Sequence, residues 1–246
     1  MIVKEPYRII RNAIEYCRYN LKYLLILLVV IFLLQIIPIV FTFPIKLQLI
    51  YFIVGIILLA GYGLCIIQDI INDGTELPAF KLKKVIPLGI RGTIVMGIYL
   101  TIQAIATGVI SHSLSFSEFE LEEMILNFTH TLHELLNHNP LHSTIFLVTG
   151  IILTYVTVFF MEIALGMIAD GEPFKNSFNL KLIKEKIDII GWKDYGIEYS
   201  MVITSIVLLT AIGNLLADIV ILTVITNFLT FVIEFVAMGV IYKKIR

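Results

Sequence analysis

Three charged residues, Arg91, Glu162 and Glu234, fall within stretches of the sequence that are otherwise apolar. If such a stretch crosses a membrane as a helix, an uncompensated ion near its centre costs at least about 2.5–3.5 kcal/mol and normally finds a partner. We therefore predict an intramembrane charge cluster in which Arg91 meets Glu162, Glu234 or both. An ion pair would fix helix packing, and a proton or solute relay is the alternative interpretation.

A second group, His130, His133 and Glu134, lies in a polar segment of the chain. On a helix, His130 and Glu134 are one turn apart and His133 lies beside them, so the three side chains form a candidate metal site. Their order, His-Thr-Leu-His-Glu, does not match the motifs of zinc proteases. The alternative is a solvated polar face that binds no metal.

The same segment contains one complete acceptor sequence for N-glycosylation, Asn127-Phe128-Thr129. Modification of Asn127 requires that the segment lies outside the cell. Elsewhere the sequence shows no nucleophile accompanied by a base, so we expect no catalytic residues, no cofactor and no enzymatic activity.

The composition indicates a membrane protein. Hydrophobic residues make up 59% of the 246 residues and charged residues only 15%, more apolar surface than one soluble core buries. Uncharged runs of about 18 residues or more are typical of transmembrane helices. The sequence thus predicts an all-α membrane helix bundle with additional amphipathic helices. Its six predicted spans cover residues 21–39, 47–70, 87–110, 143–169, 197–217 and 219–241, all within one membrane domain.

The distribution of Lys and Arg predicts the orientation of these spans. Basic residues cluster near both ends of the chain and after the second and fourth spans, whereas residues 111–141 contain none. Basic loops remain preferentially on the cytoplasmic side. We therefore predict a cell-membrane protein with both termini in the cytoplasm and residues 111–141 outside.

Two polar hinges follow the second and fourth spans and resemble each other. The first contains Asp73, Gly74 and Phe80, and the second contains Asp170, Gly171 and Phe178. In each, Asp-Gly is followed by Phe-x-Leu-Lys, and aligning the two copies requires one extra residue in the second. This similarity predicts an internal repeat.

The segment Gly61-Tyr62-Gly63 resembles the filter of potassium channels but lies within a continuous apolar run with no pore helix before it. Small residues at this spacing are typical of closely packed membrane helices. We therefore predict helix packing at this segment and no ion filter.

The hinges and their flanks resemble a family of archaeal membrane proteins known as domain of unknown function 4013. The resemblance extends from about Tyr51 to the C-terminus, and its most specific part is Glu76-Leu77-Pro78-Ala79-Phe80. Gly171 through Phe178 and Trp192-Lys193-Asp194-Tyr195 also carry it. It implies a multi-pass archaeal cell-membrane protein and no particular activity.

Three functions are compatible with these observations. Repeated hinges and charges within spans favour a transporter or permease, with the lipid bilayer and an unknown solute as partners. Small-residue faces favour a non-catalytic scaffold or assembly partner of another membrane protein. A metal-binding outer loop is the third, and no feature indicates nucleic-acid binding.

Overall fold

A computed structural model describes residues 11, 15–16, 21–41, 44–113, 140–215 and 220–246. These residues form seven α-helices and one short 3-10 helix, with no β-strand among them, so the predicted all-α helix bundle is confirmed. The helices are α1 (Leu21–Val40), α2 (Ile45–Ile71), α3 (Leu82–Ser113), α4 (Pro140–Ala169), α5 (Leu180–Ile190), α6 (Trp192–Leu215) and α7 (Val220–Lys243), and the 3-10 helix is Phe174–Phe178.

Five stretches of the described helices are long and apolar enough to cross a membrane. Helix α1 covers the first predicted span. The apolar stretch that the structure describes there, Lys22–Leu34, is shorter than the five qualifying stretches. The qualifying stretches are Ile45–Ile71, Leu82–Ile110, Thr144–Ala169, Trp192–Leu215 and Ile221–Lys243.

Helix α3 begins earlier than the sequence suggested. The third predicted span begins at residue 87, but Pro87 lies inside α3, which starts at Leu82. Pro87 is the sixth residue of α3 and has no N–H group, so the helical hydrogen bond to the carbonyl of Lys83 cannot form. The first turn is closed by the amides of Lys84 and Val85, which both donate to the carbonyl of Lys81.

The described fold divides into two compact units, residues 1–95 with 162–246, and residues 96–161. In the first unit, α7 packs against α1, α2 and α6. In the second unit, the amide of Gln103 donates to the hydroxyl of Thr154 over 2.6 Å.

The backbones of α2 and α3 touch at two glycines. A Cβ atom added to Gly61 would lie 2.0 Å from the carbonyl oxygen of Val85, and one added to Gly89 would lie 2.0 Å from that of Ile57. One added to Gly63 would lie 2.4 Å from the ring of Phe235 on α7. The predicted helix packing at Gly61 and Gly63 is therefore confirmed.

The amphipathic helix predicted after the second hinge is also present, as α5. The side chain of Asn179 accepts hydrogen bonds from the amides of Lys181 and Leu182 and so caps its start. Gly191, with a φ of 93°, follows its end. Ile183 and Ile187 form its buried face.

Helices α2 and α4 end in the same backbone motif. After α2, the amides of Asp73 and Gly74 donate to the carbonyls of Ile70 and Asp69. After α4, the amides of Gly171 and Glu172 donate in the same pattern to the carbonyls of Ile168 and Met167. This is the Schellman cap, which requires one residue with a left-handed backbone.

The two caps change the alignment of the two repeat copies that was predicted from the sequence. The left-handed residue is Asp73 in the first copy and Gly171 in the second, with φ values of 65° and 85°, so the two Asp-Gly pairs are not equivalent. Aspartate tolerates this conformation and glycine has no Cβ to oppose it. Asp73 precedes Leu82 by as many residues as Gly171 precedes Leu180, and these leucines begin α3 and α5. The structural repeat needs no gap.

Candidate functional site

The three charges predicted to cluster inside the bundle differ in their exposure. Glu162 on α4 is only 5% exposed, and its Oε1 has no hydrogen-bond partner among the described residues. Glu234 on α7 is half-buried. Glu162 is therefore a buried acid whose Oε1 has no partner within the described part of the chain.

Arg91 pairs with neither glutamate. Its side chain is exposed, and no ion pair between Arg91 and either glutamate occurs in the part of the chain that the structure describes. The buried face of α3 carries Val85, Gly89 and Gly92, at spacings of one helical turn. Arg91 precedes Gly92 and is rotated by about 100° from that face, which turns its guanidinium outward. The ion pair predicted from sequence is not formed.

A second polar cluster lies where α2, α4 and α7 end. The amide of Gln68 on α2 donates to the carbonyl of Ala169, the last residue of α4, over 2.9 Å. Both helix ends therefore meet beside the hinge loops, defined here as residues 72–81 and 170–179.

Residues 242–246, here called the clasp, bind both hinge loops. Lys243 Nζ lies 2.5 Å from Asp73 Oδ1. Arg246 donates through Nη1 to Asn72 Oδ1 over 2.7 Å and to the carbonyl of Ile71 over 3.3 Å, and its Nε lies 3.6 Å from Asp170 Oδ1. Arg246 thus bridges the ends of α2 and α4, where the partial negative charge of each helix favours a cation.

Tyr242 connects the clasp to α5. Its hydroxyl donates to Glu172 Oε1 over 3.2 Å, and the same oxygen lies 2.6 Å from Lys186 Nζ. The ammonium of Lys186 also lies 5.2 Å from the centre of the Tyr242 ring. Lys244 pairs separately with Glu198 on α6, which is 5% exposed.

The hinge phenylalanines occupy the same position before their following helices but make different contacts. Phe80 packs on Tyr62, with ring centres 5.2 Å apart, and the hydroxyl of Tyr62 donates to the carbonyl of Pro78. Phe178 packs edge-on against Phe174 within the 3-10 helix. A Cβ atom added to Gly74 would lie 1.8 Å from the carboxylate of Asp69, so that side chain would have to move.

The remaining predicted sites, His130, His133, Glu134 and Asn127, lie outside the described residues. Within the described residues, no group of three His, Cys, Asp or Glu side chains is arranged to hold a metal ion. The clasp itself was missed by sequence reasoning. Its one local signal is the basic run Lys243, Lys244 and Arg246, which by itself indicates only orientation.

The pair between Asp73 and Lys243 predicts a dependence of stability on pH and salt. The hydrogen bond and the charge of Lys243 hold the pKa of Asp73 below its ordinary value of 3.8. A carboxyl group whose pKa is lower in the folded state stabilises the fold at pH values above the unfolded value. That contribution is lost as the pH falls through the folded pKa. Because the Asp73 side chain is 85% exposed, the effect is small and is screened by salt.

We expect Asp73→Asn to melt at a slightly lower temperature than the wild type at about pH 6 and low salt. Asparagine retains the tolerance for a left-handed backbone, so the comparison isolates the charge. The difference should shrink between about pH 4 and pH 2 and in about 1 M salt. A difference that ignored both pH and salt would assign the effect to the cap and not to the ion pair.

No curated protein and no solved structure shows detectable similarity to the chain. The sequence model of a family described as protein of unknown function (DUF4013) matches residues 45–218, well over half of the chain. The match includes both hinge loops and Glu162, whereas Glu234 and the clasp lie beyond it. By this match the chain belongs to the DUF4013 family.

Proposed function

We propose that the protein is a small transporter or permease in which two helix–hinge–helix units move against each other to carry a solute. The observation that carries the proposal is the ungapped backbone repeat. Helices α2 and α4 end in the same cap, and the same number of residues separates each cap from the start of the next helix, α3 or α5. Many transporters consist of internal repeats, and rocking of one repeat against the other gives alternating access. The proposal assigns no catalytic reaction.

The junction between the repeats supports movement there. The ends of α2 and α4 are joined by the amide of Gln68 and by Arg246. Arg246 and Asn72 are exposed, so water can replace their contacts at small cost. The polar contacts that separation of the two helix ends would break are those of Gln68 and Arg246.

We propose an archaeal cell membrane as the location, with both termini and both hinge loops in the cytoplasm. The hinge motifs that resemble archaeal membrane proteins support the source. The basic residues in both hinges and in the clasp support the orientation.

Transport can be tested with purified protein in lipid vesicles, screened with a broad set of amino acids, sugars, nucleosides and inorganic ions. In a background in which Cys17 and Cys65 are replaced, Asn72→Cys and Asp170→Cys place one thiol on each hinge loop, beside Arg246. A bifunctional thiosulfonate then joins the loops through disulfides that dithiothreitol cleaves.

We expect at least one solute to enter the vesicles, cross-linking to reduce its flux by about tenfold or more, and dithiothreitol to restore it. Each single-cysteine variant treated in the same way is the matched control and should retain its flux. Absence of flux for every solute, or full flux in the cross-linked protein, would contradict the proposal.

A non-catalytic scaffold or assembly partner is the second candidate, favoured by the unit formed by residues 96–161. Cβ atoms added to Gly97, Gly108 and Gly150 would meet no atom within 4 Å, so small residues with free space beside them line these helices. Such residues allow another helix to approach closely. Copurification of one membrane protein in fixed proportion, lost on Gly108→Leu, would favour this function.

A further inference from the structure

The first half of α2 extends out of the packed helices. Every residue from Ala60 to Ile67 is buried, whereas none from Ile45 to Val54 is. One face of the helix carries apolar side chains at spacings of three or four residues: Ile45, Leu49, Phe52, Ile56 and Leu59. A stripe with this spacing is typical of a helix face that contacts an apolar surface. The stripe therefore needs an apolar neighbour.

The stripe and Leu34 of α1 line a cavity of about 600 Å³ that is partly open, here called the groove. A Cβ atom added to Gly55 would lie 3.0 Å from Leu34 Cδ2, and the hydroxyl of Tyr51 donates to the carbonyl of Leu33 over 2.8 Å. Helices α1 and α2 are therefore held together beside the groove without filling it. Its volume lies within the range of about 300–1,000 Å³ that is typical of small-molecule sites.

The groove is polar near the start of α2 and apolar farther along. Gln48 and Tyr51 belong to its lining, whereas the described lining residues from Phe52 onward on α2 are all apolar. Lys46 lies at the polar end, one turn before Leu49. It is exposed and forms no ion pair with another described residue. The ligand that matches this order of groups has an anionic head and an apolar tail.

The sequence around Lys46 strengthens the match to an anionic head. Lys46 is the one charged residue from position 23 to position 68, so its charge is not balanced by a neighbouring acid on α1 or on the first half of α2. A lysine near the start of a membrane-spanning helix can extend its ammonium group toward the headgroups. An anion bound there would therefore meet a cation at the place where the apolar groove begins.

The surroundings of the groove indicate where such a ligand comes from. Helix α2 is long and apolar enough to cross a membrane, so its exposed half lies among lipid chains. We propose that the groove binds one anionic membrane lipid, whose acyl chain lies along the stripe and whose phosphate pairs with Lys46. This inference is independent of the proposed transport function.

A photoactivatable lipid tests the site in the full-length protein. The protein is reconstituted in vesicles that contain phosphatidylglycerol or phosphatidylcholine with the same diazirine near the end of one acyl chain, and mass spectrometry locates the adducts. We expect adducts of phosphatidylglycerol on Phe52 and Ile56 to exceed those on Ile53 and Val54 by about fivefold or more. Ile53 and Val54 are the internal control, because they are exposed on the same helix and do not line the groove. Phosphatidylcholine should give about fivefold fewer adducts in the groove.

Two variants separate the head of the lipid from its tail. Lys46→Gln should abolish the preference for phosphatidylglycerol and keep the melting temperature in detergent, because Lys46 is exposed. Ile56→Trp should fill the groove and lower the adducts on Phe52 by about fivefold. Ile53→Trp places the same side chain outside the groove, so it is the matched control and should retain them.

Adducts spread evenly over the exposed residues of α2 would show contact with bulk lipid and overturn the proposal. Equal labelling by the two lipids, or a preference that survives Lys46→Gln, would overturn it as well. Absence of lipid adducts from the groove would show that protein covers it, with the same consequence. Because wild-type protein gives the main comparison, a variant that fails to fold does not remove the test.

Discussion

Replacing Gly61 by leucine is expected to leave almost no folded protein. Even the first atom of the new side chain would lie 2.0 Å from the carbonyl oxygen of Val85 and 2.9 Å from the amide nitrogen of Gly89. Both atoms belong to the backbone of α3, so neither can rotate away, and the helices must separate. Overpacking typically costs about 1–3 kcal/mol when side chains can adjust, and here we expect about 3 kcal/mol or more.

Gly97→Leu is the matched control, because Gly97 lies on the same helix as Gly89 and an added Cβ there meets nothing within 4 Å. The yield of monodisperse protein and its melting temperature in detergent measure the effect. Gly97→Leu should retain both, and Gly61→Leu should lose most of the yield. Equal behaviour of the two variants would show that α2 and α3 do not touch at Gly61.

Replacing Lys244 by methionine is expected to destabilise the protein by leaving the carboxylate of Glu198 buried without its partner. Glu198 is 5% exposed, and its other oxygen, Oε2, has no hydrogen bond within the described residues. Removing one member of a buried pair costs about 3–5 kcal/mol. We expect the lower end of that range, because the Lys244 side chain is 36% exposed and water can partly replace it.

Glu198→Gln combined with Lys244→Met should recover most of the lost melting temperature, because no buried charge then remains. The pair between Arg11 and Glu15 is the control: both side chains are more than half exposed, so Arg11→Met should cost no more than about 0.5 kcal/mol. A double variant as unstable as Lys244→Met alone would show that Lys244 acts by packing.

The sequence predicts the elements of this fold well because their signals are local. Apolar runs predict the membrane-spanning helices, and Asn179, Ile183 and Gly191 mark the start, buried face and end of α5. The hinges are recognisable because Phe-x-Leu-Lys precedes both α3 and α5. The sequence alone does not show that Asp73 and Gly171 are equivalent, because different residue types adopt the left-handed backbone in the two caps.

The contacts of the candidate sites could not be predicted in the same way. Asp73 and Lys243 are far apart in the sequence, and no periodic pattern connects them. The position of Arg91 along its apolar run gives its depth in the membrane but not the direction in which its side chain points. The stripe of Val85, Gly89 and Gly92 does give that direction, since Arg91 falls outside it.

Helix α7 contacts more helices of the first unit than its own sequence pattern indicates. It packs against α1, α2 and α6, and the clasp that continues from it holds both hinge loops. If α7 detaches, three helix interfaces and the bridge between both caps are lost together. Local opening around α7 therefore approaches global unfolding in free energy, and its amides should be among the slowest in this unit to exchange hydrogen with water.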